Sequence, residues 1–130
     1  MAKLTDAQAR MFTEPYYGVV STVRKDGSPH QSVVWVDYDG ENVLVNTAEG
    51  RAKPRHIRAN PHVGVSVVDP QDPYRWISVS GPAEMTEEGA EEHIHKLSWK
   101  YRGREYDLPE GQQRLLVRVK PQRVTAYGLD

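Results

Sequence analysis

Cysteine is absent from this 130-residue chain. That removes disulfides, thiolate metal sites and a cysteine nucleophile. Long apolar runs are absent too. Nothing approaches the roughly 18 residues of a membrane span, and the opening "MAKLTDAQAR" lacks the apolar stretch of a secretory signal. A cytoplasmic protein is the expectation. Charge of one sign is also scarce, with 17 Lys+Arg against 18 Asp+Glu. Such a balance argues against a general binder of nucleic acid or of membrane surfaces. There is no internal repeat and no low-complexity tract. The length suits a single domain over residues 1–130 with a modest core.

What is present is a pattern of short strands. "LTDAQARMF" reads as an opening helix, with Thr5 as N-cap and Gln8 completing a capping box. "YYGVVSTVR" and "PHQSVVWVDY" then read as strands around the turn "KDGS". Asp39-Gly40 signals a tight hairpin into "ENVLVNT". These three strands predict an antiparallel meander. "HVGVSVVD" and "YRWISVSGPAEM" are two further strands joined by "PQDP". "TEEGAEEHIHKLSWKYRG" is the longest predicted helix, with Thr86 as N-cap, an acidic start, a basic end and Gly103 at C′. Its Ala90, Ile94, Leu97 and Tyr101 share one face. "RLLVRV" and "RVTAYG" close the chain. About seven strands and three helices, linked mostly by local hairpins, predict a mainly β fold. A closed or split antiparallel β-barrel with peripheral α-helices limits exposed strand edges.

The conspicuous segment is "TAEGRAKPRHIRANP", Thr47 to Pro61. It places Arg51, Lys53, Arg55 and Arg58 within eight residues of an otherwise neutral chain. Pro54 fits the first position of a short helix running to Ala59, with Lys53 as N-cap. A strand handing over to a helix N-terminus presents free N–H groups and the positive end of the macrodipole. Arg51 and Lys53 in that loop add a bidentate donor and a mobile point charge. The combination suits a phosphate. The alternative is a solvated basic loop.

The order strand–"DGSPHQSVVW"–hairpin–"VLVNTAEGRAKPRHIRANPHVGVSV"–"WISVSGPAEM" resembles the flavin/deazaflavin oxidoreductases of the pyridoxamine-phosphate-oxidase-like split β-barrel superfamily, and within it the small enzymes that use coenzyme F420. The resemblance spans nearly the whole chain. It implies that Arg51 and Lys53, flanking Ala52, hold a cofactor phosphate after Asn46 and Thr47 at the end of the third strand. It implies that Ser32, Val33 and Val34 run beside the tricyclic ring. It further implies a homodimer with the cofactor at the subunit interface, where Trp76 comes from the partner and closes the pocket. Pyridoxamine-phosphate oxidases carry a further C-terminal strand segment with Arg and His, whereas this chain stops at "AYGLD". That departure speaks against the pyridoxal branch. FMN remains an alternative cofactor, because Arg-x-Lys serves its phosphate equally well. Arg55 and Arg58 favour F420, whose tail adds carboxylates.

The implied reaction is hydride transfer between reduced F420 and a flat unsaturated small-molecule substrate. No catalytic side chain is singled out, although His30 and Gln31 are polar candidates for orienting substrate. A metal site is not expected. His93 and His95 lie two apart on a helix, and His30, His56 and His62 lack a ligand spacing. No Gly-x-Ser-x-Gly elbow supports a serine nucleophile. A non-catalytic flavin-storage protein is the competing class, and so is a barrel binding single-stranded RNA. The RNA class needs a basic face with interleaved aromatics, whereas the charge here is concentrated at one strand–helix junction.

Overall fold

The computed structural model describes residues 3–129. Within these described residues, eight strands and three helices follow one another: α1 (Asp6–Thr13), β1 (Gly18–Val23), β2 (Pro29–Val34), β3 (Asp37–Tyr38), β4 (Val43–Ala48), α2 (Ala52–Ala59), β5 (His62–Asp69), β6 (Asp72–Thr86), α3 (Ala90–Arg102), β7 (Arg114–Val119) and β8 (Arg123–Tyr127). The fold is mainly antiparallel β with peripheral helices, as the strand pattern predicts. The capping box of α1 is present, with the Thr5 hydroxyl accepting from the Gln8 N–H and the Gln8 side chain accepting from the Thr5 N–H.

The sheet order is β2-β1-β5-β6-β7-β4-β3, with β8 also on β6. The sheet is split, not closed. β6 is long because it serves two partners along one edge: Trp76–Ser80 pair with β8 and Ala83–Thr86 with β7. Between them the chain of Lys120–Gln122 crosses Gly81. A Cβ there would lie 1.9 Å from the Lys120 carbonyl oxygen, so only glycine admits this crossing. The core fills the inside with Val63, Val65 and Val67 of β5, Ile77 and Val79 of β6, and Met11 and Phe12 of α1. Strict alternation along β5 sends these valines inward.

Three expectations need correction. The meander's middle strand is broken at Trp35–Val36, so β2 pairs with β1 and β3 with β4. Helix α3 supplies the reason: the Tyr101 hydroxyl accepts from the Val36 N–H (3.0 Å), and the Lys100 ammonium donates to the Val36 carbonyl. Val36 thus has its backbone satisfied outside any ladder. Thr86 is not the cap of α3. It pairs with Leu116 as the last residue of β6 and its hydroxyl accepts from Arg118, while Gly89 occupies the cap position. Finally, α2 begins two residues early, with Arg51 as N-cap and Pro54 third in the helix. Proline is still tolerated there, since first-turn N–H groups have no intrahelical partner.

Candidate functional site

Beside the break in the sheet lies a cavity of about 260 Å³. One wall is apolar: Tyr17, Val34 and Trp35 on the strand side, Ile94 and Leu97 from α3, and Tyr106 from the connector after it. The aromatics brace one another. Trp35 stacks on Tyr101 with centroids 5.4 Å apart and an interplanar angle of 7°, and Tyr106 meets Trp35 edge-on at 6.3 Å. β2 ends the sheet, so its outer edge pairs with no strand among the described residues. The cavity runs along that edge, which explains why Val33 and Val34 both line it despite alternating sides.

The opposite wall is cationic. Arg51, Lys53 and Arg114 converge there, and no carboxylate is among the described residues that line it. Arg51 makes no side-chain ion pair or hydrogen bond among the described residues. Lys53 has only a long contact to the Ser32 hydroxyl, at 3.4 Å. Burial, reinforced by Arg51 and then Arg114, lowers the Lys53 pKa below its ordinary value. Arg114 is buried, and burial together with Arg51 lowers its pKa, with Tyr106 partly offsetting this. Its guanidinium lies 5.2 Å from the Tyr106 ring centroid and donates to Asn46 Oδ1 (2.9 Å) and Gln112 Oε1 (2.9 Å). Three like charges facing a common space repel one another, and an anion in that space relieves all three. At the start of α2, Ala52 and Lys53 add first-turn N–H groups, whereas Pro54 has none.

The structure therefore brings together Ser32, Val33, Val34, Asn46, Arg51 and Lys53, with Ala52 between the two cations. Thr47 is not in the cavity. It sits on the opposite face of β4 from Asn46, fully buried, and its hydroxyl has no hydrogen-bond partner among the described residues. Trp76 is not in the cavity of its own chain either; it lies half-buried on the outer face of β6, between Val68 and Tyr127. Arg55 and Arg58 diverge. Arg58 pairs with Glu49 at 2.6 Å, while Arg55 lines a separate cleft with Arg24, Lys25 and His56. His30 packs against His56, and Gln31 points outward. Arg114, Tyr106, Trp35 and Tyr17 escape the sequence reading. Arg114 carried the one available signal, a charge opening the buried strand "RLLVRV", but nothing in its spacing links it to Arg51.

Known proteins share this architecture. The family described as pyridoxamine 5′-phosphate oxidase matches residues 4–128. A solved structure described as an F420 reductase superposes with a TM-score of 0.84 at 31% identity, covering 94% of this chain and 98% of that one. A conserved hypothetical protein from Mycobacterium tuberculosis gives 0.76 at 24% identity, over 95% of this chain and 84% of that one. HutZ, described as a heme-storage protein from Vibrio cholerae, gives 0.70 at 19% identity, over 98% and 97%. The last two likenesses speak to the fold alone.

Proposed function

This chain belongs to the pyridoxamine 5′-phosphate oxidase family, and on that premise we propose that it is an oxidoreductase that uses coenzyme F420 to reduce a flat unsaturated small molecule. The observation that carries the reading is the cavity itself, in which three cations face an apolar aromatic wall and no carboxylate among the described residues balances them. That is a site for an amphipathic ligand with an anionic arm, and the residues fit a phosphate-bearing tricyclic cofactor. Arg51, Lys53 and Arg114 would hold the phosphate, with Arg51 and Arg114 as forked donors and Lys53 as a point charge. The unpaired edge of β2 offers backbone donors and acceptors to a flat polar ring, and Val34, Trp35 and Tyr17 give it an apolar bed.

When bound, a deazaflavin supplies a hydride donor. The protein's part is to orient and to exclude water. The apolar lining from α3 keeps one side of the cavity dry, which strengthens the electrostatic hold of the cations. A second copy of the chain would finish the enclosure. The outer face of β2-β1-β5-β6-β8 begins at the cavity's rim with Val33, which is 68% exposed, and carries Trp76.

F420 is favoured over FMN because a second basic cleft lies along β2. Inward-facing Val34, Ser32 and His30 form a line from the cavity to His56. There Arg24, Lys25 and Arg55 surround a space of about 470 Å³, together with Asp26. Tail carboxylates can reach these exposed cations, whereas Arg58 is taken by Glu49. Purified protein is titrated with F420 and with FMN, following tryptophan emission, since Trp35 lines the cavity. F420 should bind more tightly, and its advantage should shrink with added salt. Equal affinities, or full occupancy by copurified FMN with no F420 binding, would reverse the choice. Binding without turnover of any acceptor would move the protein to the storage class.

A further inference from the structure

Arg114 is held by a chain of buried and half-buried polar groups that runs through α3 to β3. Its Nε–H donates to Asn46 Oδ1 at 2.9 Å. The Asn46 amide nitrogen donates to the Ala90 carbonyl at 2.8 Å and meets His93 Nδ1 at 3.2 Å. His93 Nε2 lies 3.3 Å from Asp37 Oδ2, and Lys96 sits on the same oxygen at 3.1 Å. Arg114, His93 and Asp37 are 5%, 7% and 4% exposed. The polarity of every link follows from its ends. Arginine only donates, so Asn46 must present its oxygen to it, and the Ala90 carbonyl requires the nitrogen on the other side. His93 Nδ1 must then accept, which leaves the proton on Nε2, aimed at a carboxylate that only accepts. Turning the amide over would set oxygen against oxygen at Ala90 and nitrogen against nitrogen at Arg114.

We propose that His93, oriented by Asp37, is a positioning residue for the anion site: through Asn46 it aims the Arg114 guanidinium into the cavity. The inference rests on the anion-binding reading of that cavity. The relay ties β3, β4, α3 and β7 together around one charge. It explains why a buried histidine and a buried aspartate sit where an apolar pair would pack α3 against β4 as Leu44, Ala90 and Leu116 do. An arginine has many rotamers, and an unsupported one is a weak ligand because ordering it on binding opposes the gain.

The test uses His93→Leu, which cuts the chain, and His93→Gln, whose carbonyl can accept from Asn46 while its amide donates to Asp37. The first measurement is the Arg114 Nε–Hε resonance in cofactor-free protein. It should be sharp and slow to exchange in the parent and in His93→Gln, and broadened or lost in His93→Leu. The second is the affinity for inorganic phosphate, followed by tryptophan emission. His93→Leu should weaken it about threefold to tenfold, and His93→Gln should restore it. In an Arg114→Met background, His93→Leu should have no further effect. If His93→Leu fails to fold, Asn46→Ser breaks the same chain at a half-buried position. An unchanged Arg114 resonance in the cut variants, or additive losses with Arg114→Met, would overturn the relay. The resonance is read without cofactor, so it tests the relay whether or not F420 binds. Loss of phosphate binding in the parent would instead count against the cavity as an anion site.

Discussion

In the proposed site Lys53 would serve a ligand at the fold's expense. Burial and two neighbouring cations disfavour its charged form, so the cofactor-free protein holds that charge under repulsion. Lys53→Ala should remove a charge-assisted hydrogen bond worth about 1.5–3 kcal/mol. Cofactor affinity should fall roughly tenfold to hundredfold. The melting temperature of the cofactor-free protein should hold or rise, since a like charge has gone. Parent-like affinity in both Lys53→Ala and Arg51→Ala would return the segment to a solvated basic loop. Titration of F420 alongside a melting curve separates the two effects. The two cations of this site that lie close in sequence were legible there; the third was not. Arg51 and Lys53 announce themselves by local density, whereas Arg114 reaches them only through the β4–β7 pairing of Ala48 with Arg114. That register is a tertiary fact with no local trace.

At the scale of elements, α3 does more than cover the sheet. Its Lys100 donates to the Phe12 carbonyl at 2.6 Å, in the last turn of α1, and to the Val36 carbonyl at the strand break. Tyr101 bridges the Val36 N–H and the Tyr16 carbonyl. The helix thereby binds the split in the sheet, and the break that the strand pattern of "PHQSVVWVDY" conceals comes from these two side chains arriving from 64 and 65 residues away. Burial, opposed by Asp37 and reinforced by Lys96, lowers the Lys100 pKa to about 8 from 10.5. Below pH 8 the ammonium is charged in both states, and the folding penalty for burying it is present in full. Between pH 8 and 10.5 the unfolded chain binds more protons, so this group's contribution to stability should increase with pH. Denaturant midpoints across that window should lose this rise in Lys100→Met. At neutral pH the same variant leaves two carbonyls without their donor and should be destabilised by about 1–3 kcal/mol. Asp37 gives the acid counterpart. Burial raises its pKa, but His93, the Tyr38 N–H and Lys96 outweigh burial and hold it at about 2. Its contribution is complete above about pH 4 and should disappear as the pH falls toward 2. Gly81 belongs to this scale as well. Gly81→Ala sets a methyl group against the backbone of the β7–β8 crossing, which no rotamer can relieve. It should destabilise the protein by about 1–3 kcal/mol or more, read as a lowered melting temperature.

For the whole molecule, the decisive surface is the outer face of five strands. The pairings align Val33, Val19, Ser66, Ser78 and Thr125 in one row across β2, β1, β5, β6 and β8. A parallel row holds Val68, Trp76 and Tyr127, and another holds Gln31, Ser21, Gly64, Ser80 and Arg123. Arg123 is the only charge in these rows. A solvated sheet face normally carries charged residues at such positions, and a face of small, aliphatic and aromatic side chains with a single arginine is the kind a partner can cover. Small side chains in the centre let a partner approach closely, while Trp76 and Tyr127 stand up at one side as anchors. The occupant proposed for it is a second copy, because the face reaches the rim of the cavity through Val33 and would offer Trp76 to the neighbour. Sedimentation equilibrium should therefore give a dimer at micromolar concentration. Val68→Lys, on the middle strand of that face and outside the cavity, should yield a folded monomer, since an exposed β5 position tolerates the charge in isolation. Its affinity for F420 should drop with the loss of the partner's wall, although Arg51, Lys53 and Arg114 are untouched. A monomeric parent with full cofactor affinity would sink the dimer and the role of Trp76 together. A dimer that survives Val68→Lys would move the interface to another face of the barrel.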